Sequence, residues 1–363
     1  MSARPTVVVT GVAGNLGQRL LPLLNDFDVV GIDMHLPADP SRFARFERLD
    51  LARESSCRAL TSLLLETHAV AVVHLAFVID PVRTGVLDTG HMWQINVAGT
   101  ARVIEAISVA NRSGGAVQKF IFLSSVSAYG PELPHPVSED YPLGAHTLTY
   151  AIHKQEADDV VRLRASQMGA CTTFILRPHI FVGGTMQNYL VGALRGTAGG
   201  KGRLGDWVRR KGKRLPFLVP SGDEYLVKRF QFVHVDDMAR LLASILRRDT
   251  RNLKLIILNV AGRGDPISLQ MAARIAGQQI VHLPSVRLCR WALALLWKLG
   301  ISSVPPDALP YMIGSYVMDT SRLRAFLGPD YANVIRYTTE QALDETFHPV
   351  AEEARPLTTS ATV

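Results

Sequence analysis

The chain has 363 residues, of which 47% are hydrophobic and 20% charged. This composition is typical of a globular enzyme with a large core, built as one large domain or two closely joined ones. The three cysteines are far apart, so they provide neither a disulfide framework nor a metal-ligand spacing. No apolar run reaches the ~18 to 20 residues that span a bilayer, and no signal-peptide layout precedes the first apolar run. We therefore expect a cytoplasmic protein without an integral membrane segment.

The net charge of +7 is concentrated in one glycine-rich segment, residues 195–214, which holds eight basic residues against one acid. The rest of the chain is therefore balanced, which argues against a nucleic-acid partner. We interpret the segment as a loop or lid that either binds an anionic group such as a diphosphate or is solvated surface. Its basic residues are Arg195, Lys201, Arg203, Arg209, Arg210, Lys211, Lys213 and Arg214.

The chain begins with a β-branched run at residues 7–10, followed by a glycine-rich turn at 11–17 and a helix-like stretch. Strand, glycine turn and helix in this order form a cradle for a pyrophosphate, because glycines let the backbone approach it and the helix N-terminus favours negative charge. A second strand, residues 29–32, leads into Asp33. An acid there can bond the ribose hydroxyls of adenosine and repels a 2′-phosphate, which favours NAD over NADP.

Two further strands follow. The third, residues 46–51, carries Asp50 near its end, and this acid is either a contact to the adenine edge or the N-cap of a helix at 53–67. The fourth, residues 71–76, ends in small and apolar residues where a cofactor can pass closely. Its His74 is interpreted as a packed strand residue and not as a ligand.

Strands at residues 119–123 and 172–178 complete an alternation of six strands with helices. This alternation predicts an α/β fold, a Rossmann-type doubly wound parallel sheet with a smaller C-terminal α/β substrate-binding domain. The predicted units are an NAD-binding Rossmann domain at 1–178 plus 231–262, a substrate-binding domain at 179–230 plus 263–350, and a disordered tail at 351–363.

The candidate catalytic residues follow the fifth strand. Tyr150 and Lys154 are four residues apart on a predicted helix and share one face. A lysine cation beside a phenol lowers the pKa of the phenol, which makes the tyrosine a general base near neutral pH. The hydroxyl of Ser125, or of its neighbour Ser124, can bond the same substrate oxygen. Together these groups predict proton transfer at a carbinol or carbonyl oxygen.

An amphipathic helix is predicted at residues 286–299. Its apolar face indicates a domain-packing or dimer helix, and the alternative is a helix that lies on a membrane surface. The residues of this face are Leu288, Trp291, Ala292, Leu295 and Leu299.

Taken together, these elements resemble the extended short-chain dehydrogenase/reductase family, in its NAD-dependent epimerase/dehydratase branch. The matching motifs cover most of residues 6–260 in the order of that family. They are Thr10-Gly11-x-x-Gly14-x-x-Gly17, Asp33, His74-Leu75-Ala76, Asn96, Ser124-Ser125, Tyr150-x-x-x-Lys154, Leu176-Arg177-Pro178 and His234-Val235-Asp236-Asp237.

The resemblance implies a role for each matching position. Tyr150 is the implied acid/base, Lys154 the ligand of the nicotinamide ribose, and Ser125 the group that holds the substrate oxygen, with Ser124 as the neighbouring candidate. It also implies a homodimer, paired through helices that flank the sheet. The implied cofactor contacts are Gly11, Gly14, Asn15, Leu16 and Gly17 at the pyrophosphate, Asp33, Asp50 and Leu51 at the adenosine, and Leu75, Ala76, Asn96, Ser124, Tyr150, Lys154 and Pro178 along the cofactor.

Residues that differ from those of related subgroups reduce the number of reactions expected for this chain. Val126 and Ser127 stand where the sugar-nucleotide dehydratases carry an Asp-Glu pair, so no carboxyl group is placed to protonate a leaving hydroxyl and elimination of water is disfavoured. Ile180 and Phe230 stand where 4-epimerases typically carry an asparagine and an arginine for the sugar diphosphate.

Three functions are therefore weighed. The first is an epimerase-like enzyme that acts on a nucleotide sugar by reversible hydride transfer with NAD. The second is a net NAD(P)-dependent oxidoreductase resembling 3β-hydroxysteroid dehydrogenases or ketone reductases, with an apolar substrate. The third is a non-catalytic NAD-sensing protein, against which the intact set of Ser125, Tyr150 and Lys154 argues.

Overall fold

The computed structural model describes residues 4–37, 39–79, 84–250 and 253–349. Its central element is a seven-stranded parallel sheet. The strands of this sheet are β1 Thr6–Thr10, β2 Asp28–Asp33, β3 Arg45–Arg48, β4 Ala71–His74, β5 Lys119–Leu123, β6 Thr172–Pro178 and β11 Leu255–Val260. They lie side by side in the order β11-β6-β5-β4-β1-β2-β3. The six predicted strands belong to the sheet, and a buried apolar run adds β11 beside β6.

Helices cover both faces of the sheet, because successive residues of each strand point to opposite sides and both sides are apolar. Val9 and Ile121 face one core, and Val8 and Phe120 face the other. This arrangement confirms the predicted Rossmann-type doubly wound fold. The α-helices of this part are Asn15–Leu20, Ser55–Glu66, Thr89–Trp93, Gly99–Arg112, Thr149–Arg164 and Val235–Arg247.

The strand order reverses between β1 and β4, so the carboxyl ends of these strands open onto the crevice where α/β sheets bind ligands.

The Thr10 hydroxyl lies 2.7 Å from Nδ1 of His74, and the Thr100 hydroxyl lies 3.1 Å from its Nε2. Burial, assisted by the charge of Lys154, lowers the pKa of His74 to about 3. His74 is therefore a neutral packed residue that joins two strands, as predicted.

The C-terminal part forms a third core around Leu190, Phe217, Phe232 and Leu269. Three two-stranded sheets support it: β7 Ile180–Val182 with β10 Phe232–His234, β8 Phe217–Pro220 with β13 Ile280–Leu283, and β9 Arg229–Phe230 with β12 Ile267–Ser268. The α-helices of this part are Tyr189–Arg195, Arg203–Arg210, Asp223–Leu226, Leu269–Ile275, Val286–Lys298, Leu309–Ile313 and Thr339–Phe347. The helices Ser321–Leu327 and Tyr331–Val334 pack instead on a core of the seven-stranded sheet. The exact division into domains stays a prediction, and the predicted tail lies outside the described residues.

Two local predictions are corrected. Strand β3 ends at Arg48, so Asp50 lies beyond it and closes a turn by accepting a hydrogen bond from the Ala52 nitrogen at 2.9 Å. Asp50 is not a helix N-cap, because Glu54 occupies that position. The segment 195–214 is not simply a loop, since it contains the helix Arg203–Arg210.

The helix predicted at residues 286–299 is present as Val286–Lys298, but in the described part of the chain its apolar stripe is left partly exposed. Cys289 and Leu293 are the residues that it buries, whereas Trp291 and Leu295 are exposed. No helix among the described residues has the length and apolar character required to cross a bilayer.

Candidate active site

The glycine turn lies between β1 and the helix Asn15–Leu20 and packs closely against its neighbours. Gly11 has φ of +72°, and a Cβ there would lie 2.5 Å from the Ala76 nitrogen. A Cβ on Gly17 would lie 2.5 Å from the Val12 oxygen, and one on Gly14 would lie 3.1 Å from the Gly11 oxygen. Side chains are excluded at Gly11 and Gly17, so the backbone of the turn is left accessible to a ligand at the carboxyl edge of β1.

The residue Asn15 follows this turn. Its Nδ2 donates to the hydroxyl of Thr185 at 2.9 Å, whereas its buried Oδ1 has no hydrogen-bond partner among the described residues. Thr185 also accepts from Arg19 at 2.9 Å, and Arg19 is in turn paired with Asp236. A loop from the C-terminal part therefore lies against the glycine turn. The sequence gives no sign of Thr185, because it lies 170 residues from Asn15. Leu16 is partly buried against the core.

Asp33 ends β2 beside the glycine turn. Its carboxylate accepts hydrogen bonds from the Ala13 nitrogen at 2.9 Å and from the His35 nitrogen at 3.0 Å. This places a fixed negative charge next to the turn that follows β1, as the choice of NAD over NADP requires. Leu51, by contrast, is buried under Gly99, and its carbonyl accepts from Arg102 at 3.0 Å. The implied adenosine contacts of Asp50 and Leu51 stay predictions.

The charge of Asp33 leads to a testable expectation about nucleotide choice. Replacing Asp33 by Ser removes the repulsion of a 2′-phosphate, so the ratio of bound NADP to bound NAD should rise about tenfold, a change of roughly 1.4 kcal/mol. The purified protein would be incubated with an equimolar mixture of both nucleotides and denatured, and the released nucleotides would be quantified. An unchanged ratio, or a tenfold preference of the wild type for NADP, would contradict the role of Asp33.

The carboxyl ends of β4, β5 and β6 form one edge. The Ala76 nitrogen donates to the Thr10 hydroxyl at 3.3 Å, and Leu75 follows β4 directly. The Ser124 nitrogen donates to the Leu176 carbonyl at 2.7 Å, but the buried Oγ of Ser124 has no partner among the described residues. Pro178 ends β6 at the same edge. The implied positions along the cofactor are thus brought together.

Asn96 lies behind this edge, fully buried in a π-helical turn at Gln94–Ala98. Its Oδ1 accepts from the Val78 nitrogen at 2.7 Å, and its Nδ2 donates to the Val78 carbonyl at 3.0 Å. Both functional atoms of its amide therefore hold the backbone that follows β4. Asn96 thus positions that loop, and its implied direct contact with a cofactor stays a prediction.

Ser125, Tyr150 and Lys154 meet as predicted. Ser125 caps a short 3₁₀ helix at Val126–Tyr129 by accepting from the Ser127 nitrogen at 3.1 Å. Burial raises the pKa of Tyr150 to about 12, and a hydrogen bond with Ser125 opposes that rise. Ser125 is thus the serine that hydrogen-bonds the phenol of Tyr150, whereas Ser124 is its neighbour in the chain.

Lys154 differs from the expectation in one respect. Its ammonium donates to the Leu123 carbonyl at 2.6 Å and lies 5.9 Å from the centre of the Tyr150 ring. Burial lowers the pKa of Lys154 well below its ordinary value, and the charge of Asp158 opposes this change. The expected lowering of the Tyr150 pKa by Lys154 is therefore not present in this arrangement, because burial raises that pKa and the opposing contribution comes from Ser125.

Phe77 is a site residue that sequence reasoning missed. Its ring lies 3.5 Å from the Lys154 ammonium and packs edge to face on Tyr150, with ring centres 5.9 Å apart. The available signal was its place directly after Leu75 and Ala76 at the end of β4. Phe77 shields the lysine and the phenol from water on one side, which contributes to their burial.

A dinucleotide fits these residues. The glycine turn gives close backbone approach, and Asp33 provides a carboxylate for a ribose. Two buried polar atoms, Asn15 Oδ1 after the turn and Ser124 Oγ after β5, have no hydrogen-bond partner in the described part of the chain. Buried polar atoms are rarely left unpaired, so their presence here is consistent with a polar ligand. The fold and the site thus define a Rossmann-type protein with a dinucleotide site beside the group of Ser125, Tyr150 and Lys154.

The comparison with known proteins agrees with this class. Residues 7–261 match the model of the NAD dependent epimerase/dehydratase family. The chain belongs to this family, and NAD, the cofactor predicted from the sequence, is the cofactor of the family.

The individual relatives share about a third of their residues or fewer with this chain in the matched regions. An uncharacterised protein of Sinorhizobium fredii is 27% identical over 350 residues, which are 94% of this chain and 78% of that protein. The UDP-glucose 4-epimerase of Erwinia amylovora is 31% identical over 185 residues, 47% of this chain and 52% of that enzyme. The match to this epimerase thus spans about half the length of either protein.

Solved structures show the same fold. The UDP-glucose 4-epimerase of Thermus thermophilus, determined in complex with NAD, superposes with a TM-score of 0.64 over 95% of this chain and 99% of that one, at 19% identity. The UDP-glucuronic acid 4-epimerase of Bacillus cereus superposes with a TM-score of 0.62 over 94% and 98%, at 20% identity.

Proposed function

We propose that the protein is an NAD-dependent epimerase-like enzyme that inverts a secondary alcohol carbon of a nucleotide sugar. The observation that carries this proposal is the meeting of Ser125, Tyr150 and Lys154 at the carboxyl edge of β5, beside a site that fits NAD. The likeness of about half of the chain to UDP-glucose 4-epimerases supports the substrate class.

The side chains divide the proton chemistry among themselves. Tyr150 takes the proton of the substrate hydroxyl as a ketone forms and returns it when the alcohol is restored. Ser125 donates a hydrogen bond to the same oxygen and opposes the rise of the Tyr150 pKa, and Lys154 fixes the adjacent ribose. Bound NAD supplies the acceptor and the donor of the hydride.

The residues after Ser125 favour inversion over elimination of water. Val126 is buried and apolar, and Ser127 lies 3.2 Å from the Ser125 hydroxyl, so both positions are occupied by groups that are poor acids. Loss of a hydroxyl group needs an acid to protonate it, and a carboxyl group is the usual one. We therefore propose that the enzyme retains every oxygen of its substrate.

The recognition of a diphosphate must differ from that in typical 4-epimerases. Phe230 is fully buried and packs on Phe232 and Tyr316, with ring centres 6.5 and 5.5 Å away, so this position belongs to the core. Ile180 in β7 is partly exposed, and its side chain has no amide group to bind a diphosphate. The apolar character of Ile180 favours the second candidate, a net oxidoreductase with an apolar substrate.

One experiment separates the two candidates. The purified protein would be denatured to quantify released NAD, and the native protein would be incubated with UDP-sugars, steroids and simple secondary alcohols. We expect about one NAD per chain, formation of an epimer from a UDP-sugar, and no accumulation of NADH. Steady NADH production from a steroid or an alcohol, without an epimer, would overturn the epimerase and support the oxidoreductase.

Two further features are proposals of the same kind. A homodimer paired through helices that flank the sheet, including Thr149–Arg164, would be measured by sedimentation of the purified protein. A cytoplasmic location stays a prediction from the sequence.

A further inference from the structure

The C-terminal part exposes aromatic and aliphatic side chains on two helices, independently of the active site. On Arg203–Arg210, Trp207 is 46% and Leu204 is 47% exposed. On Val286–Lys298, Trp291 is 61% exposed, and Leu288, Leu295 and, just beyond the helix, Leu299 are exposed by 38% to 42%. Spacings of three and four residues place the latter side chains on one helical stripe. Apolar residues grouped in this way mark an interaction surface.

Glycines join the two helices into one unit. The Gly202 nitrogen donates to the Gly300 carbonyl at 2.9 Å, and the Gly200 nitrogen donates to the Ile301 carbonyl at 3.0 Å. A Cβ on Gly205 would lie 2.5 Å from the Gly300 oxygen. The start of the Trp207 helix is therefore packed backbone to backbone on the end of the Trp291 helix. We call the exposed faces of these two helices, with the residues 211–213 that follow the first, the Trp207–Trp291 surface.

Basic side chains border the apolar ones. In the part of the chain that the structure describes, Arg203, Arg210, Lys211, Arg287 and Lys298 form no ion pair with an acidic residue, and all are exposed. The ammonium of Lys213 lies 5.5 Å from the centre of the Trp207 ring. Two acids are near, but each has a partner: Asp206 pairs with Arg209, and Asp307 pairs with Arg290 at 2.9 Å. The Trp207–Trp291 surface thus carries an excess of positive charge.

The positive charge of the surface favours some binding partners over others. A second copy of the chain would place like charges opposite one another, which is unfavourable. A surface with negative headgroups above an apolar interior satisfies both features, because basic residues attract the headgroups while tryptophan and leucine side chains insert at the boundary. The helices are 8 and 13 residues long, so they can lie on a bilayer and are too short to cross it. We propose that the Trp207–Trp291 surface docks the enzyme on an anionic lipid membrane.

The test uses the 363-residue chain with bound NAD and sedimented vesicles of two compositions. We expect the protein to sediment with phosphatidylcholine vesicles that contain phosphatidylglycerol and to remain in solution with vesicles of phosphatidylcholine alone. Binding should weaken as salt is raised, because the headgroup attraction is screened. Tryptophan fluorescence should shift to shorter wavelength on binding. Failure to sediment with the anionic vesicles at low salt would overturn the proposal.

Matched variants assign the binding to this surface. Arg210→Gln with Lys211→Gln should weaken vesicle binding about twentyfold to thirtyfold, since each basic residue near an anionic surface contributes roughly fivefold. Trp207→Ser with Trp291→Ser should weaken it by about tenfold or more. The control is Arg58→Gln with Leu253→Ser, which changes an exposed basic and an exposed apolar residue elsewhere and should leave binding unaltered.

NAD content and thermal unfolding would verify that each variant is folded. Equal binding by the wild type and the surface variants would refute the assignment. So would a wild-type oligomer that the tryptophan variant dissociates while vesicle binding persists, because the surface would then be a contact between proteins.

Discussion

Replacing Tyr150 by Phe is expected to lower the turnover rate by ~10²-fold or more, the usual contribution of a general base. The change removes only the phenolic oxygen, so the ring contact with Phe77 and the burial of Lys154 persist. NAD content should therefore stay at the wild-type level while the reaction slows. The rate would be measured with the substrate that the panel identifies, and the released NAD would be quantified in parallel.

A tyrosine elsewhere in the chain provides the control. Tyr331 has a buried hydroxyl without a hydrogen-bond partner among the described residues, so Tyr331→Phe makes the same chemical change and removes no bond. This variant should keep the wild-type rate. Full activity of Tyr150→Phe would refute the proton-transfer role of Tyr150, whereas an equal loss in both variants would point to a general effect of the substitution.

Replacing Asp158 by Ala is expected to lower the free energy of unfolding by about 3–5 kcal/mol, because it leaves a buried guanidinium without its counterion. Arg177 and Asp158 are both fully buried, and two hydrogen bonds of 2.9 Å join them. Burial lowers the pKa of Arg177, but the bonds and charge of Asp158 outweigh it and raise the pKa above its ordinary value. Arg177 therefore stays charged.

The same arginine links the helix that carries Tyr150 to the loop before it. One nitrogen of Arg177 donates to the Tyr129 hydroxyl at 2.8 Å and to the Glu139 carbonyl at 2.9 Å. Asp158 lies one turn after Lys154 on the Tyr150 helix. Loss of Asp158 should thus also loosen the placement of Tyr150, and we expect a reduced rate in addition to reduced stability.

Urea unfolding would measure the loss of stability. The control is Asp159→Ala on the same helix, which removes an exposed pair with Arg162 and should cost about 1 kcal/mol or less. A double variant, Asp158→Leu with Arg177→Met, should recover much of the loss, because it replaces a broken ion pair by apolar side chains. A cost for Asp158→Ala no larger than that for Asp159→Ala would show that the buried pair does not hold the helix.

The sequence was sufficient for the features that depend on neighbouring residues. The β-branched runs and glycine turn predicted the first strand and its cradle, and the spacing of Tyr150 and Lys154 predicted their common face, because strand and helix periods are local properties. Asp33 was found in the same way, at the end of the second strand. These features established the fold class and the core of the candidate site.

The tertiary structure decided what depends on contacts between distant segments. It placed Thr185 against Asn15, set Asn96 on the backbone of Val78, and brought Phe77 over Lys154. It also showed that burial raises the pKa of Tyr150, which a lysine four residues away does not reveal. Burial and desolvation are sums over all neighbouring elements, so no spacing along the chain predicts them.

The helix at Val286–Lys298 shows the same division most plainly. Its sequence determined a helix with an apolar stripe, because that pattern is a property of thirteen consecutive residues. Whether the stripe turns to the core or to solvent depends on what the rest of the chain places beside it. The structure packs Cys289 and Leu293 inward and leaves Trp291 exposed, since the partner elements fill the opposite side. A local pattern fixes which residues share a face, and only the packed fold decides which way the face points.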